Sequence, residues 1–237
     1  MGATVASKWS DTAMLVIDMQ KEFVDPATSS LALLAGKAIL PAVTEAVELA
    51  RGRGIFVVWV VREHDSDGRD VELFRRRFYS GGKGPAMKGS KGAELADGLV
   101  IKEQDYKLVK TRFSSFFATN LDSVLKTSGI KNLVVVGVQT PNCIRQTVFD
   151  AVALDYEKVT VIVDATAAAN QEIHLGEYSL IAYSSTLGLV WLGPNLIRAR
   201  NDKCNKKIYN EYNKRLRFIP VRNKFTHDRC TKPESIH

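Results

Sequence analysis

Short apolar runs rich in Val and Ile, each followed by a polar turn, constrain the fold of this 237-residue chain more than any other feature. Runs of this kind suit strands that are buried on both faces of a parallel sheet. They lie at residues 13–17, 55–61, 134–136 and 159–163, with a weaker fifth run at residues 106–109. The segments between these runs have apolar residues that recur at helical spacing. The alternation predicts an α/β fold with a Rossmann-like open, mainly parallel sheet and helices on both faces.

The intervening segments carry helix signals as well as helical spacing. Pro41 suits a first helical position, and the glycines at 52 and 54 are typical of a helix end. Thr119 is a residue type that caps a helix, and Gly129 would end that helix. The inward faces are predicted from the recurrence of apolar residues at Val43, Ala46, Val47, Ala50, Leu121, Val124 and Leu125.

A single cysteine lies where the strand near residue 135 passes into the next helix. Thr140 and Asn142 are helix-capping residue types, and Pro141 fits the first helical turn, so a helix begins here. Cys143 therefore falls in or beside the first turn, where free backbone N–H groups favour a thiolate. Taken alone, Cys143 has a second interpretation as a buried structural residue.

Three predicted strands end in a reactive side chain: Asp18, Lys110 and Cys143. Ligands of open parallel sheets bind beyond the carboxyl ends of the strands, so these side chains are expected at one edge. A thiolate attacks a carbonyl carbon, a carboxylate carries the proton to the leaving amine, and an ammonium stabilises both anions. Each residue alone also has a structural explanation, as a turn cap, a surface charge or a core residue. Their coincidence at one edge favours an active site.

The formal charge of +7 comes from the C-terminal part of the chain. Residues 198–237 contain 12 Lys or Arg and four Asp or Glu, so the preceding residues carry a net charge of −1. We expect a domain over residues 11–197, an N-terminal tail over 1–10 and a basic, disordered or poorly packed tail over 198–237. Nucleic-acid binding is not expected, because the basic tail has few aromatic residues and no reading motif.

Cysteine usage and hydropathy bear on the compartment. Cys143, Cys204 and Cys230 have neither metal-ligand spacing nor the even number of a disulfide framework, which indicates a reducing compartment. No signal peptide and no apolar span long enough to cross a bilayer is present in the sequence. We therefore predict a cytoplasmic protein that does not associate with membranes.

Four segments together resemble one family: LVIDMQKEF, VKTRFSSFFATNL, GVQTPNCIRQTVFDAVALDY and VTVIVDATAA. They look like the isochorismatase-like cysteine hydrolases, which include nicotinamidases, N-carbamoylsarcosine amidohydrolase and ureidoacrylate amidohydrolase. The resemblance covers residues 11–174 in the expected order. It implies that Asp18 is the general acid and base, that Lys110 stabilises charge, and that Cys143 is the nucleophile of an acyl-enzyme mechanism.

The resemblance also implies details around the cysteine. Family members place a cis peptide after the glycine of the strand, which here would join Val138 to Gln139. The backbone N–H groups of Gln139 and Cys143 would then form the oxyanion hole. Self-association near the active site is common in the family, so a homo-oligomer is expected by resemblance.

The segment after the second strand bears on the substrate. Nicotinamidases carry an Asp-x-His pair there and a further His downstream, which hold a metal, whereas this chain reads Arg62-Glu63-His64-Asp65 with no other His before His174. The three-ligand site is incomplete, so we predict no metal and no other cofactor. The stretch REHDSDGRDVELFRR is closer to the ureidoacrylate and carbamoyl-amide branch. Candidate contacts to a small amide substrate are Phe23, Arg62, Glu63, His64, Arg69 and Phe113.

The leading hypothesis is a metal-independent cysteine amidohydrolase that cleaves a small amide, ureido or carbamoyl substrate. A nicotinamidase is the alternative of the same class, and a catalytically inactive isoform or binding module with a basic tail is the alternative of another class. The latter is motivated by residues after about 174, which do not resemble the helix that closes the domain in the family. We interpret that change as the mark of a splice form, a retained intron or a gene-model error.

Overall fold

A computed structural model describes residues 9–174, 176 and 190–191 of the chain. Its strands are β1 (Thr12–Ile17), β2 (Phe56–Arg62), β3 (Tyr106–Lys110), β4 (Asn132–Val138), β5 (Lys158–Ala167) and β6 (Val190–Trp191). They form one parallel sheet in the order β3-β2-β1-β4-β5-β6. The helices are α1 (Lys21–Val24), α2 (Leu34–Ala38), α3 (Leu40–Gly52), α4 (Leu121–Thr127) and α5 (Arg145–Ala153). The predicted three-layer α/β fold is confirmed.

Strand β1 is buried on both faces, because its side chains alternate between two hydrophobic clusters. Ala13, Leu15 and Ile17 join the cluster that contains the buried residues of α4 and α5. Met14 and Val16 join the cluster that contains the buried residues of α3. The helices therefore cover opposite faces of the sheet. The apolar face of α3 is the predicted one, with Val43, Ala46, Val47 and Ala50 buried.

Strands β1 and β4 approach each other closely at Gly137. This residue has a φ of 115°, and a Cβ atom there would lie 2.0 Å from the carbonyl oxygen of Ile17. Only glycine fits both the backbone conformation and the space. The chain proceeds from β1 towards β3 on one side and from β4 towards β6 on the other, so the strand order reverses between β1 and β4. A crevice for ligands forms beyond the carboxyl ends of strands at such a point.

The start of the helix after β4 differs from the prediction. A π-type turn, Thr140–Ile144, precedes α5, and no side chain caps it. The Thr140 hydroxyl instead contacts His174 Nδ1 at 2.8 Å, and Asn142 Nδ2 donates to Gln139 Oε1 at 3.3 Å. The capping roles predicted for Thr140 and Asn142 are therefore wrong, because both side chains are engaged in tertiary or neighbouring contacts.

The C-terminal part of the sheet extends beyond the predicted strands. Strand β5 continues past residue 163, with a register shift against β4 between Val135 and Gly137. Strand β6 pairs with β5 through Val190 and Trp191, a strand that the sequence pattern did not indicate. Residues 1–8 of the predicted N-terminal tail over 1–10, and the whole predicted tail over 198–237, lie outside the described residues. In the described residues no helix is long and apolar enough to cross a membrane.

Candidate active site

Asp18 and Lys110 form a buried ion pair at the carboxyl edge of the sheet. Asp18 follows β1, and Lys110 ends β3 on the far side of β2. Lys110 Nζ donates to Asp18 Oδ2 at 2.9 Å and to the carbonyl oxygen of Arg112 at 3.1 Å. The two side chains are 0% and 4% exposed, so solvent does not screen the pair. Asp18 has a φ of 53°, a conformation that Asp tolerates better than most residues.

Cys143 lies in the π-type turn and is buried. It faces a small cavity lined by Asp18, Phe23, Arg62, Arg75, Val138, Gln139, Asn142 and Cys143. The predicted nucleophile and the predicted acid and base therefore line the same cavity. Both residues assigned to the oxyanion hole line it as well, and the peptide bond between Val138 and Gln139 is cis, as expected from the family resemblance.

Arg62 brings a second buried cation to the cysteine and the carboxylate. Its Nη2 atom lies 3.8 Å from Cys143 Sγ and donates to Glu72 Oε1 at 2.9 Å. Its Nε atom lies 3.7 Å from Asp18 Oδ2. Gln20 fixes the backbone of Arg62, because its side chain accepts from Arg62 N and donates to Arg62 O, both at 2.7 Å. The guanidinium is thus held at the centre of the charged cluster.

The surroundings of Cys143 favour the neutral thiol. Burial raises the pKa of Cys143, and the negative charge of Asp18 raises it further, against the opposing effect of Lys110 and Arg62. A thiol in this state needs a base to become a nucleophile. Asp18 Oδ1 is buried and has no hydrogen-bond partner within the described residues, so this oxygen retains the capacity to accept a proton.

Comparison with known proteins places this arrangement in a family. The family model for the isochorismatase domain matches residues 12–186, nearly three quarters of the chain. The chain belongs to the isochorismatase family. An Arabidopsis thaliana protein named "probable inactive nicotinamidase" is 64% identical over 172 residues, which cover 72% of this chain and 87% of that protein.

Further relatives agree with the isochorismatase assignment. The ureidoacrylate amidohydrolase of Azorhizobium caulinodans is 29% identical over 180 residues, which cover 68% of this chain and 78% of the enzyme. A solved isochorismatase family protein from Desulfovibrio vulgaris is 33% identical with a TM-score of 0.76, and the match covers 80% of this chain and 97% of that one. The isochorismatase match extends to residue 186, so the bound of residue 174 given to the family resemblance in the sequence analysis is wrong.

His64 is the histidine that the sequence analysis compared with the metal ligands of nicotinamidases, and its surroundings do not suit a metal ion. His64 is 2% exposed, and its Nε2 atom lies 3.3 Å from Nη1 of Arg62. Burial and the charge of Arg62 lower the pKa of His64 to about 4. Its Nδ1 atom lies 3.5 Å from Asp70 Oδ1 and makes no hydrogen bond in the described part of the chain. A permanent cation beside the imidazole opposes a metal ion, so this donor set does not fit one.

The other potential metal-binding side chains do not form a metal site either. Among residues 9–174, 176 and 190–191, no group of three His, Cys, Asp or Glu side chains could hold a metal ion. We therefore derive no catalytic step through a metal.

Some of the remaining predicted substrate contacts lie at the cavity, and others lie away from it. Phe23 lines the cavity together with Arg62, and the ring of Phe113 lies 5.5 Å from the Arg62 guanidinium carbon. Glu63 instead forms an ion pair with Lys107, away from the cavity lining. The Arg69 side chain is 75% exposed and pairs with Asp65 at 2.9 Å.

Two charged residues of the site were not singled out from the sequence. Glu72 binds Arg62, and Arg75 lines the cavity. Both lie at a 3₁₀ turn over Leu73–Phe78, in the polar segment between β2 and β3. This segment has no apolar period from which its contacts could be predicted. The available signal was the charged run VELFRR, which ends the stretch that resembles the ureidoacrylate branch.

Proposed function

We propose that this isochorismatase-family protein is a cysteine amidohydrolase that cleaves a C–N bond of a small ureido, carbamoyl or other linear amide. The observation that supports it best is the buried Asp18 and Lys110 pair, joined at 2.9 Å, beside a cysteine that lines the same cavity. The cavity beside Cys143 is small, which restricts the substrate to a small molecule.

In the acylation half of the reaction, the carboxylate of Asp18 takes the proton of the Cys143 thiol as Sγ attacks the carbonyl carbon. The carbonyl oxygen becomes an oxyanion, which accepts hydrogen bonds from the backbone N–H groups of Gln139 and Cys143. The C–N bond then breaks, and protonated Asp18 returns the proton to the departing nitrogen. The products of this half are a thioester on Cys143 and a neutral amine or ammonia.

In the deacylation half, Asp18 takes a proton from water, and the resulting hydroxide attacks the thioester carbon. The C–S bond breaks, and the thiolate of Cys143 regains a proton from Asp18. Lys110 and Arg62 stabilise the transient thiolate, because the positive charge of each lowers the pKa of Cys143. A carbamoyl thioester would release carbamate.

The test measures ammonia and amine release by the full chain from ureidoacrylate, several N-carbamoyl acids and nicotinamide. Cys143→Ala should lower the turnover of accepted substrates by at least about 1,000-fold, since it removes the nucleophile. Cys204→Ala removes another thiol of the chain, one to which the proposal assigns no role, and should leave turnover unchanged. Equal rates for wild type and Cys143→Ala would remove Cys143 from the mechanism.

Nicotinamide is the less favoured substrate within this class. Where nicotinamidases are expected to hold a metal beside the pyridine ring, this chain has the Arg62 guanidinium 3.3 Å from the imidazole of His64. Turnover of nicotinamide that exceeds that of every linear amide would overturn this preference.

One observation favours a second candidate function. The Arabidopsis thaliana relative at 64% identity is named a probable inactive nicotinamidase, so a non-catalytic binding protein with an intact cavity is the alternative. It predicts that small amides bind to the full chain, measured by calorimetry, without turnover, and that Cys143→Ala leaves their affinity unchanged. Turnover that depends on Cys143 contradicts it.

A further inference from the structure

Two guanidinium groups line the cavity, and the donors of one are already occupied. Arg62 is directed towards Asp18 through Nε, towards His64 and Glu72 through Nη1, and towards Glu72 and Cys143 through Nη2. A guanidinium has five N–H donors in a fixed plane. Each nitrogen of Arg62 therefore has a protein partner, and little capacity remains for a substrate.

Arg75 lines the same cavity, but its guanidinium donates no hydrogen bond to another described residue. Its Nε atom is buried and has no hydrogen-bond partner within the described residues, although it lies 3.2 Å from Glu72 Oε2. The rings of Phe74 and Phe113 lie 5.3 and 5.5 Å from its guanidinium carbon. The side chain is 21% exposed, so the two rings hold a poorly solvated cation at the cavity.

The charges around the cavity do not cancel. The charged residues that line it are Asp18, Arg62 and Arg75, and the charged residues paired with these are Lys110 and Glu72. These are three cations and two anions, while the thiol of Cys143 is neutral in the resting protein. Glu72 is shared, because Arg62 binds it at 2.9 Å and Arg75 lies 3.2 Å away. The site lacks one negative charge.

A carboxylate on the substrate supplies the missing charge. A carboxylate can accept two parallel hydrogen bonds from one guanidinium, which is among the strongest polar contacts that an arginine makes. We propose that Arg75 binds a substrate carboxylate, so that the enzyme selects small anionic amides, such as ureido and N-carbamoyl acids, over neutral ones. That such a substrate is hydrolysed at its C–N bond rests on the proposed function, whereas the binding of its carboxylate by Arg75 does not.

A matched substrate pair tests the selection. 3-Ureidopropionate and 3-ureidopropan-1-ol share the ureido group and the chain length but differ in the carboxylate. Wild type should hydrolyse the acid with a higher kcat/KM, and Arg75→Gln should lower that value by about 10- to 100-fold through KM, which corresponds to loss of a charge-assisted contact. The value for the alcohol should fall much less than the value for the acid. Arg75→Lys should restore part of the preference.

Arg76→Gln is the matched control, because it removes the same charge from the neighbouring, exposed position of the turn. It should leave the preference for the acid intact. Thermal unfolding of each variant shows whether it is folded. If folded Arg75→Gln retains the full preference for the acid, or if Arg76→Gln loses it equally, the proposal is overturned.

A measurement without turnover separates this proposal from the hydrolase assignment. Iodoacetamide labels Cys143, and the rate is followed by mass spectrometry of its peptide with and without 3-ureidopropionate. The acid should slow labelling of wild type, the alcohol should not, and Arg75→Gln should lose the protection. Protection without hydrolysis would overturn the proposed function and keep the carboxylate site. Hydrolysis of both substrates with equal efficiency, unchanged in Arg75→Gln, would support the proposed function and overturn the carboxylate site.

Discussion

Nη2 of Arg62 lies 3.8 Å from Sγ of Cys143, although 81 positions separate the two residues in the chain. This contact predicts that Arg62 tunes the thiol. Burial and Asp18 raise the pKa of Cys143, whereas Lys110 and Arg62 lower it. Arg62→Gln removes one of the two lowering charges, so the pKa of the thiol should rise further and labelling by iodoacetamide at pH 8 should slow.

The pH dependence of the labelling rate, followed at the Cys143 peptide, gives the thiol pKa of each variant. Arg62→Lys keeps the charge and should change the profile less than Arg62→Gln. Arg76→Gln, at an exposed position, should not change it at all. A profile of Arg62→Gln that shifts to lower pH would contradict the assigned role.

Asp18→Asn should change thiol reactivity and hydrolysis in opposite directions. The charge of Asp18 raises the pKa of Cys143, so its removal lowers that pKa and labelling near neutral pH becomes faster. The same substitution removes the proton acceptor, which should lower kcat/KM for an accepted amide by roughly 100- to 10,000-fold. Slower labelling together with lost hydrolysis would indicate a structural role for Asp18 instead.

Gly137→Ala should destabilise the protein severely. The new methyl group would lie 2.0 Å from the carbonyl oxygen of Ile17, at a φ of 115°. A backbone clash in the centre of the sheet should lower the free energy of unfolding by at least about 3 kcal/mol, measured by urea denaturation. Gly129→Ala is the control, since Gly129 has a φ of 71° and open space around its Cβ position. It should cost about 1 kcal/mol, and equal losses would refute the steric explanation.

His64 should make the protein sensitive to acid. Its pKa is lowered to about 4 in the folded protein, by burial and by Arg62, against about 6.5 in an unfolded chain. Between these values the unfolded state binds more protons, so the stability present above pH 6.5 is lost as the pH falls towards 4. The loss from this group is of the order of 3 kcal/mol. His64→Gln should flatten the pH dependence of the unfolding free energy over this window, and parallel curves would exclude His64 as the source.

The sheet and the positions of its reactive ends could be predicted from sequence, because each buried strand is a continuous apolar run. The grouping of Asp18, Lys110 and Cys143 could be predicted because the carboxyl ends of parallel strands meet at one edge of the sheet. In the structure, Lys110 Nζ lies 2.9 Å from Asp18 Oδ2. Glu72 and Arg75 could not be predicted, because a 3₁₀ turn in a polar segment has no period and its contacts depend on where the segment folds back. Strand β6 is two residues long and depends on pairing with β5.

The place of Lys110 in the sheet has a consequence for how activity is lost. Strand β3 stands at the end of the described strand order and pairs only with β2, and its Val109 is 42% exposed. Fraying of an outer strand requires less free energy than unfolding of the whole domain. When β3 detaches, the ammonium leaves Asp18 while β1 and β4 remain paired. Mild denaturant should therefore abolish hydrolysis before the global unfolding transition, and hydrogen exchange should report the opening in residues 106–110.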